Sequence, residues 1–274
     1  KILRMIKVSE IIGFITDIAP LHWQESYDNS GLLIGDPDAM VDKALLTLDV
    51  TEKVVDEAIE NSFHLIISHH PLIFKGVKNI LNDNTLGRII TKAIKHDISI
   101  AAMHTNLDNS YYGVNRILAE KLGLKNLNIL HVNNSVSPRL DDSDIQIGSG
   151  MIGEFENEMS EIEFLKLIKE RLDVGAIRHS ELLGKPIKRV ALCGGSGAFM
   201  INDAKRCAAD VYLTADLKYH DFFEADNEIL IIDAGHFETE QFTKQLFADI
   251  ILKKNPKFAV QISSVKTNSV HYFV

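Results

Sequence analysis

The sequence predicts an α/β protein with a parallel sheet and a second lobe, and three observations carry that expectation. Apolar, β-branched runs alternate with helical segments between Val41 and Gly123, and the alternation resumes after Pro186. Between them lies a stretch of different character, rich in turn residues. Polar and titratable residues gather just after the apolar runs, where open α/β sheets hold their ligands.

Taken in order, "KALLTLDV" reads as a strand and "TEKVVDEAIENS" as a helix with an acidic first turn. "FHLIISHHP" is the next strand, "TLGRIITKAIKHD" a helix, "ISIAAMHTNLD" a third strand and "GVNRILAEKLGL" another helix. Right-handed crossovers then make the sheet parallel. From about Lys125 to Pro186, "VNNSVSPRLDDSDIQIGSGMIGEF" reads as turns and "MSEIEFLKLIKERLDVG" as a helix with a Ser-led cap, and the second lobe starts here. The alternation continues through strand "RVALCGGSG", helix "FMINDAKRCAA", strands "DVYLTADL" and "EILIIDAGH", helix "TEQFTKQLFADIILKK" and a last strand near "FAVQISSV".

The 274 residues carry 29 Lys and Arg against 38 Asp and Glu, a net charge of -9. That balance argues against a nucleic-acid backbone partner and favours a small-molecule one. Cys193 and Cys207 match neither a CxxC pair nor a zinc-knuckle spacing, so a reducing cytoplasm is the expected compartment. No apolar run suits a membrane span, and no membrane partner is expected.

The candidate chemistry lies at the strand ends. His69 and His70 stand side by side after an apolar run and before Pro71, and the third strand brings His104 and Asp108 to the same edge. Adjacent histidines on a strand point to opposite faces, so two ligands here require the backbone to curl beyond the strand end, as Pro71 allows. In "AGHFETEQF", a helical turn would place His236 and Glu240 on one face. Nitrogen and oxygen donors without thiolate suit divalent Zn, Fe, Mn, Co or Ni, and their number exceeds the need of one tetrahedral ion. A single buried histidine is commonly a hydrogen-bonded core residue, but the pair and the clustering favour ligation over a solvated polar edge.

Three further stretches have a structural reading beside the functional one. "LCGGSGAF" resembles a phosphate cradle, but Met200 replaces the third glycine and no lysine follows, so a tight strand-to-helix turn is favoured. Cys193 reads as core. "WQESYDNSGLLIG", with Trp23, Tyr27, Asp28 and Asn29, suits either a pocket rim or an Asx-type turn, and the turn is favoured. "TADLKYHD" offers Asp216, His220 and Asp221, with His220 a candidate proton-transfer group or part of a surface helix start.

"YDNSGLLIG", "SHHPLIF", "MHTNLD", "CGGSG", "ADVYLTADLKYHD" and "AGHFETE" together resemble the Nif-three-like family, also called DUF34 and often described as type two GTP cyclohydrolase I. The resemblance implies two similar intertwined α/β lobes with mainly parallel βαβ units, in the short form without an inserted domain. It divides the chain into a first lobe over 1–124 and a second over 125–274, whose part from about 228 returns to a shared metal site. It implies two divalent transition-metal ions held by His69, His70, Asp108, His236 and Glu240, with Glu240 as the bridge. His104 is then a neighbour that orients water or substrate, and His104 and His220 are the catalytic candidates. A toroidal homohexamer and a purine nucleotide substrate are further implications. Ala215 and Asp216 replace a Gly-Glu pair common in the family, and Met151 stands where an arginine is common. Three functions remain open: hydrolytic opening of a heterocycle, phosphoester hydrolysis, and a metal-holding scaffold without turnover.

Overall fold

The computed structural model describes residues 5–133 and 147–273. The chain divides into two compact units: residues up to Leu107 with Thr243–Ser269, and Asp108–Phe242 with Val270 onward.

The first unit is built on a five-stranded sheet in the order Ala259–Ile262, Lys43–Thr47, Leu65–Ser68, Ser99–Ala102, Gly31–Ile34. The first four strands are mutually parallel, and Gly31–Ile34 runs antiparallel along the Ser99–Ala102 edge. Lys43–Thr47, Leu65–Ser68 and Ser99–Ala102 are buried on both faces, which is why they read as unbroken apolar runs. Helix Glu52–Glu60 starts at Thr51, whose hydroxyl accepts the Val54 N–H, and helix Thr85–Lys95 starts at Asn84, which accepts from Gly87. Their apolar stripes, Val54, Val55 and Ala58 on one and Ile89, Ile90 and Ala93 on the other, close over Leu45, Ile66 and Ile100 of the sheet. The "FAVQISSV" strand pairs beside Lys43–Thr47, far from its sequence neighbours.

The second unit holds a six-stranded sheet in the order Lys125–Val132, Gly148–Met159, Ile187–Ser196, Val211–Ala215, Leu230–Asp233, Arg178–His179. Ile187–Ser196, Val211–Ala215 and Leu230–Asp233 are parallel, whereas the remaining pairings are antiparallel. This sheet is therefore mixed, and the expectation of mainly parallel pairing holds for the first unit better than for the second. Helix Glu161–Leu172 opens with the capping box expected at Ser160, closed by Glu163. It buries Phe164, Ile168 and Leu172 against Leu192, Val211 and Leu213.

Two local readings change. Part of the turn-rich stretch, 134–146, lies outside the described residues, and its remainder forms the twelve-residue strand Gly148–Met159. The glycines that looked like turn markers serve close approach there: a Cβ on Gly153 would lie 2.6 Å from the Leu127 side chain, and one on Gly150 2.9 Å from the Leu192 carbonyl. The "TEQFTKQLFADIILKK" helix is broken into His236–Glu240 and Thr243–Lys254, with the unit boundary falling between Phe242 and Thr243.

Candidate metal centre

In the first unit, the parallel strands deliver their polar residues to one sheet edge. After Ser68 the ladder ends and the backbone curls, so that the amides of His69 and His70 both donate to the Leu48 carbonyl, at 3.2 and 3.0 Å. The two rings then lie together, with centroids 4.9 Å apart, instead of on opposite faces. His104, two residues beyond Ser99–Ala102, joins them at 5.3 and 5.5 Å. A donor nitrogen from each of the three rings lies within 4.8 Å of the other two.

Each ring is held through Nδ1. His69 contacts the Met103 carbonyl at 2.8 Å, His70 the Asp49 carboxylate at 2.7 Å, and His104 the Asp28 carboxylate at 2.8 Å. An acceptor oxygen at Nδ1 keeps the proton there and leaves the lone pair on Nε2, the arrangement typical of metal-ligating histidines. Asp28 is well anchored: its side chain is buried, and its oxygens accept from the Thr105 N–H and hydroxyl at 3.0 and 2.5 Å and from the Ser30 hydroxyl at 2.9 Å. Burial opposes its charge, but the hydrogen bonds from His104 and Thr105 outweigh that and hold the carboxyl well below the usual carboxylate range.

In the second unit, the parallel strands do the same. His236 opens a five-residue helix after Leu230–Asp233, and Glu240 stands one turn later on the same face, with Oε2 2.9 Å from the His236 Nε2. Asp216, in the left-handed region at φ +56°, follows Val211–Ala215 and takes the His236 Nδ1 at 2.7 Å. Burial disfavours the charged ring, yet the Asp216 and Glu240 carboxylates overcome it and raise the His236 pKa to about 11. Asp108 and Glu240 present carboxylate oxygens within 4.8 Å of each other, and Glu240 is 4% exposed. Two carboxylates so close gain from a cation between them.

The glycine stretch serves this carboxylate. Gly195 adopts φ +63°, and a Cβ there would fall 2.1 Å from Glu240 Oε1 and 3.2 Å from His236 Cε1. The Gly195 N–H donates to the Thr239 hydroxyl at 3.0 Å, and the Gly194 N–H to Asn115 Oδ1 at 2.9 Å. Asn115 in turn donates to the Asp108 carbonyl at 3.1 Å, tying the glycines to that residue. Cys193 is buried as expected, and burial pushes its thiol well up.

His220 joins none of these donor groups. It is exposed on the short helix Tyr219–Ala225, where its ring lies 5.1 Å from Tyr219 and stacks on Phe223 at 6.1 Å. The orienting carboxylates carry no separate sequence signal: Asp28 sits in a turn-like stretch, Asp216 in "TADLKYHD", and Asp49 at the end of an apolar run.

A family model described as Duf34/NIF3 (NGG1p interacting factor 3) matches residues 6–269. The chain belongs to this family. Among NIF3-family relatives, a Clostridium perfringens protein named "GTP cyclohydrolase 1 type 2 homolog" is 39% identical over 237 residues, 85% of this chain and 87% of the relative. A Campylobacter jejuni protein of the same name is 37% identical over 271 residues, 97% of this chain and 100% of the relative. The crystal structure of a Bacillus cereus protein related to NIF3 matches with a TM-score of 0.90 at 28% identity, covering 98% of this chain and 100% of that one. Among the described residues of this NIF3-family chain, no helix is long and apolar enough to cross a membrane.

Proposed function

We propose that this NIF3-family chain binds two divalent transition-metal ions and acts as a metal-dependent hydrolase on a nucleotide or related heterocycle. The observation that carries the reading is the common orientation of His69, His70, His104 and His236, each held through Nδ1 by an oxygen. His69, His70 and His104 form one set of three donors, and in the second unit Glu240 lies beside His236 and within 4.8 Å of Asp108. A set of three protein ligands leaves room for water or substrate, as in catalytic sites and unlike closed structural ones.

Divalent ions bound by these donors would supply Lewis-acid polarisation and a lowered water pKa. The protein's part is orientation and charge. Met103, Asp49, Asp28 and Asp216 keep the rings in register by holding each Nδ1. In this reading His104 serves as a third donor in preference to a proton carrier, because its Nδ1 proton is committed to Asp28 as that of His70 is to Asp49. His220 is left outside the chemistry. The name shared by the Clostridium and Campylobacter relatives supports a purine nucleotide such as GTP as the first substrate to try.

The test is metal reconstitution followed by product analysis. Elemental analysis should approach two equivalents per chain, and formate release from GTP supports heterocycle opening. Phosphate release indicates ester cleavage instead, and metal binding without turnover of either kind favours a scaffold. A stoichiometry near zero after reconstitution overturns the reading.

We also propose a homo-oligomer larger than a dimer, as the family resemblance implies. Phe199, Tyr219 and Phe223 of the second unit, 69%, 72% and 66% exposed, supply apolar surface for such contacts. A stable monomer by light scattering at micromolar concentration overturns this part.

A further inference from the structure

The carboxylate behind His70 has a second contact that metal binding by itself does not require. Asp49 gives Oδ1 to His70, and its Oδ2 accepts the Thr267 hydroxyl at 2.8 Å. The backbone around Asp49 is fixed independently: the Thr47 hydroxyl donates to the Asp49 carbonyl at 2.9 Å, and the Leu48 carbonyl takes the His69 and His70 amides. The carboxylate itself is 37% exposed, so solvent competes for its oxygens. A hydroxyl on Oδ2 therefore helps decide which way the carboxylate faces.

Thr267 is brought there by a clasp just upstream. Glu57, 8% exposed, accepts the Ser263 hydroxyl on one oxygen, and the Ser264 N–H and hydroxyl on the other at 2.9 and 2.8 Å. The Ser263 N–H donates to the Leu46 carbonyl at 2.8 Å, continuing the sheet edge where Ala259–Ile262 pairs with Lys43–Thr47. The path from that strand to Thr267 is thus held at several points just beyond the outer strand.

We infer that Thr267 is a positioning residue for His70: its hydroxyl fixes the Asp49 carboxylate, which keeps the imidazole proton on Nδ1 and presents Nε2 to a divalent cation. The cation part rests on the reading of His70 as a metal donor, whereas the tautomer part concerns this chain alone. The route is Thr267 to Asp49 to His70, through two hydrogen bonds, with no contact of Thr267 itself with the donor atom required.

The experiment uses the full metal-free chain and its Thr267→Val and Thr267→Ser variants, which stay close to threonine in shape. Nitrogen-resolved NMR of the imidazoles reads each tautomer, and zinc affinity is measured by chelator competition. Wild-type His70 should show one tautomer with the proton on Nδ1. Thr267→Val should give a mixture at His70, leave His69 unchanged because Met103 holds it, and weaken zinc binding about tenfold, the lower end for loss of an outer-shell partner. Thr267→Ser should restore both. An unchanged His70 tautomer in Thr267→Val, or failure of Thr267→Ser to restore it, overturns the inference whatever the zinc result. A mixed tautomer with undiminished zinc affinity overturns the donor reading of His70, and with it the role of Thr267 in metal binding.

Discussion

Gly195 lies against Glu240 so closely that a Cβ on the glycine would stand 2.1 Å from the Glu240 Oε1. The carboxylate is seated where only a glycine leaves room. Gly195→Ala should therefore cost on the order of 1–2 kcal/mol for the left-handed backbone alone and also displace Glu240. Gly184 is the control, since it too has a positive φ, +68°, but open space around its Cβ position. Calorimetry should show both variants destabilised, while metal analysis should show loss only in Gly195→Ala. Full metal content in Gly195→Ala would remove the link between the glycine and the donor.

Removing the charge of Glu240 is a more direct test. Glu240→Gln leaves a neutral amide beside Asp108 and His236, so at least one ion should be lost on elemental analysis. His104→Ala should also lose an ion, because its ring belongs to the first donor set, whereas His220→Ala should keep both. Retention of two ions by His104→Ala would return that residue to the role of a neighbour.

The pH dependence of the metal-free protein follows from His236. Its folded pKa of about 11 exceeds the ordinary imidazole value of 6.5. Stability from this group is therefore complete below about pH 6.5 and is lost as pH rises toward 11. Asp216→Asn removes one of the two carboxylates responsible, so the fall in melting temperature from pH 7 to 10 should be shallower than in the wild type. Zinc must displace the same proton, and its affinity should rise with pH over that range. A pH-independent affinity would exclude His236 as a ligand.

Asp28 has the opposite sign. Its folded pKa is depressed, so its stabilisation is present above the ordinary carboxylate range and is lost as pH falls below it. Asp28→Asn should cost about 1.5–3 kcal/mol at neutral pH, the scale of a hydrogen bond to a charged group. Urea denaturation should show the difference from wild type narrowing in acid. A constant difference from pH 7 to 2 would mean that the charge of Asp28 contributes little.

The parts of the fold legible in the sequence were those written in local pattern. Buried strands such as Leu65–Ser68 are continuous apolar runs, and the Ser160 cap announces its helix. His69, His70, His104 and His236 stood out because each closely follows such a run, and Glu240 because it lies one helical turn beyond His236. The residues behind the rings did not. Asp28 reaches His104 across 76 positions, and Thr267 reaches Asp49 across 218, so neither leaves a spacing to read. Asp28 looked like turn chemistry because it does contact the Asn29 N–H, at 2.7 Å, while its main partners lie far along the chain. The Gly148–Met159 strand was obscured by glycines whose reason is crowding by other strands, which becomes visible only when those strands are in place.

The return of Thr243–Ser269 to the first unit has a consequence for how the protein is made. During synthesis, Lys43–Thr47 emerges early, but its outer neighbour Ala259–Ile262 is translated only after the whole of Asp108–Phe242. The nascent chain therefore carries an unpaired strand edge for most of its time on the ribosome, the kind of edge that recruits other strands. Glu57 waits beside that edge for Ser263 and Ser264, so this long loop of the first unit can close only after Asp108–Phe242 has been made.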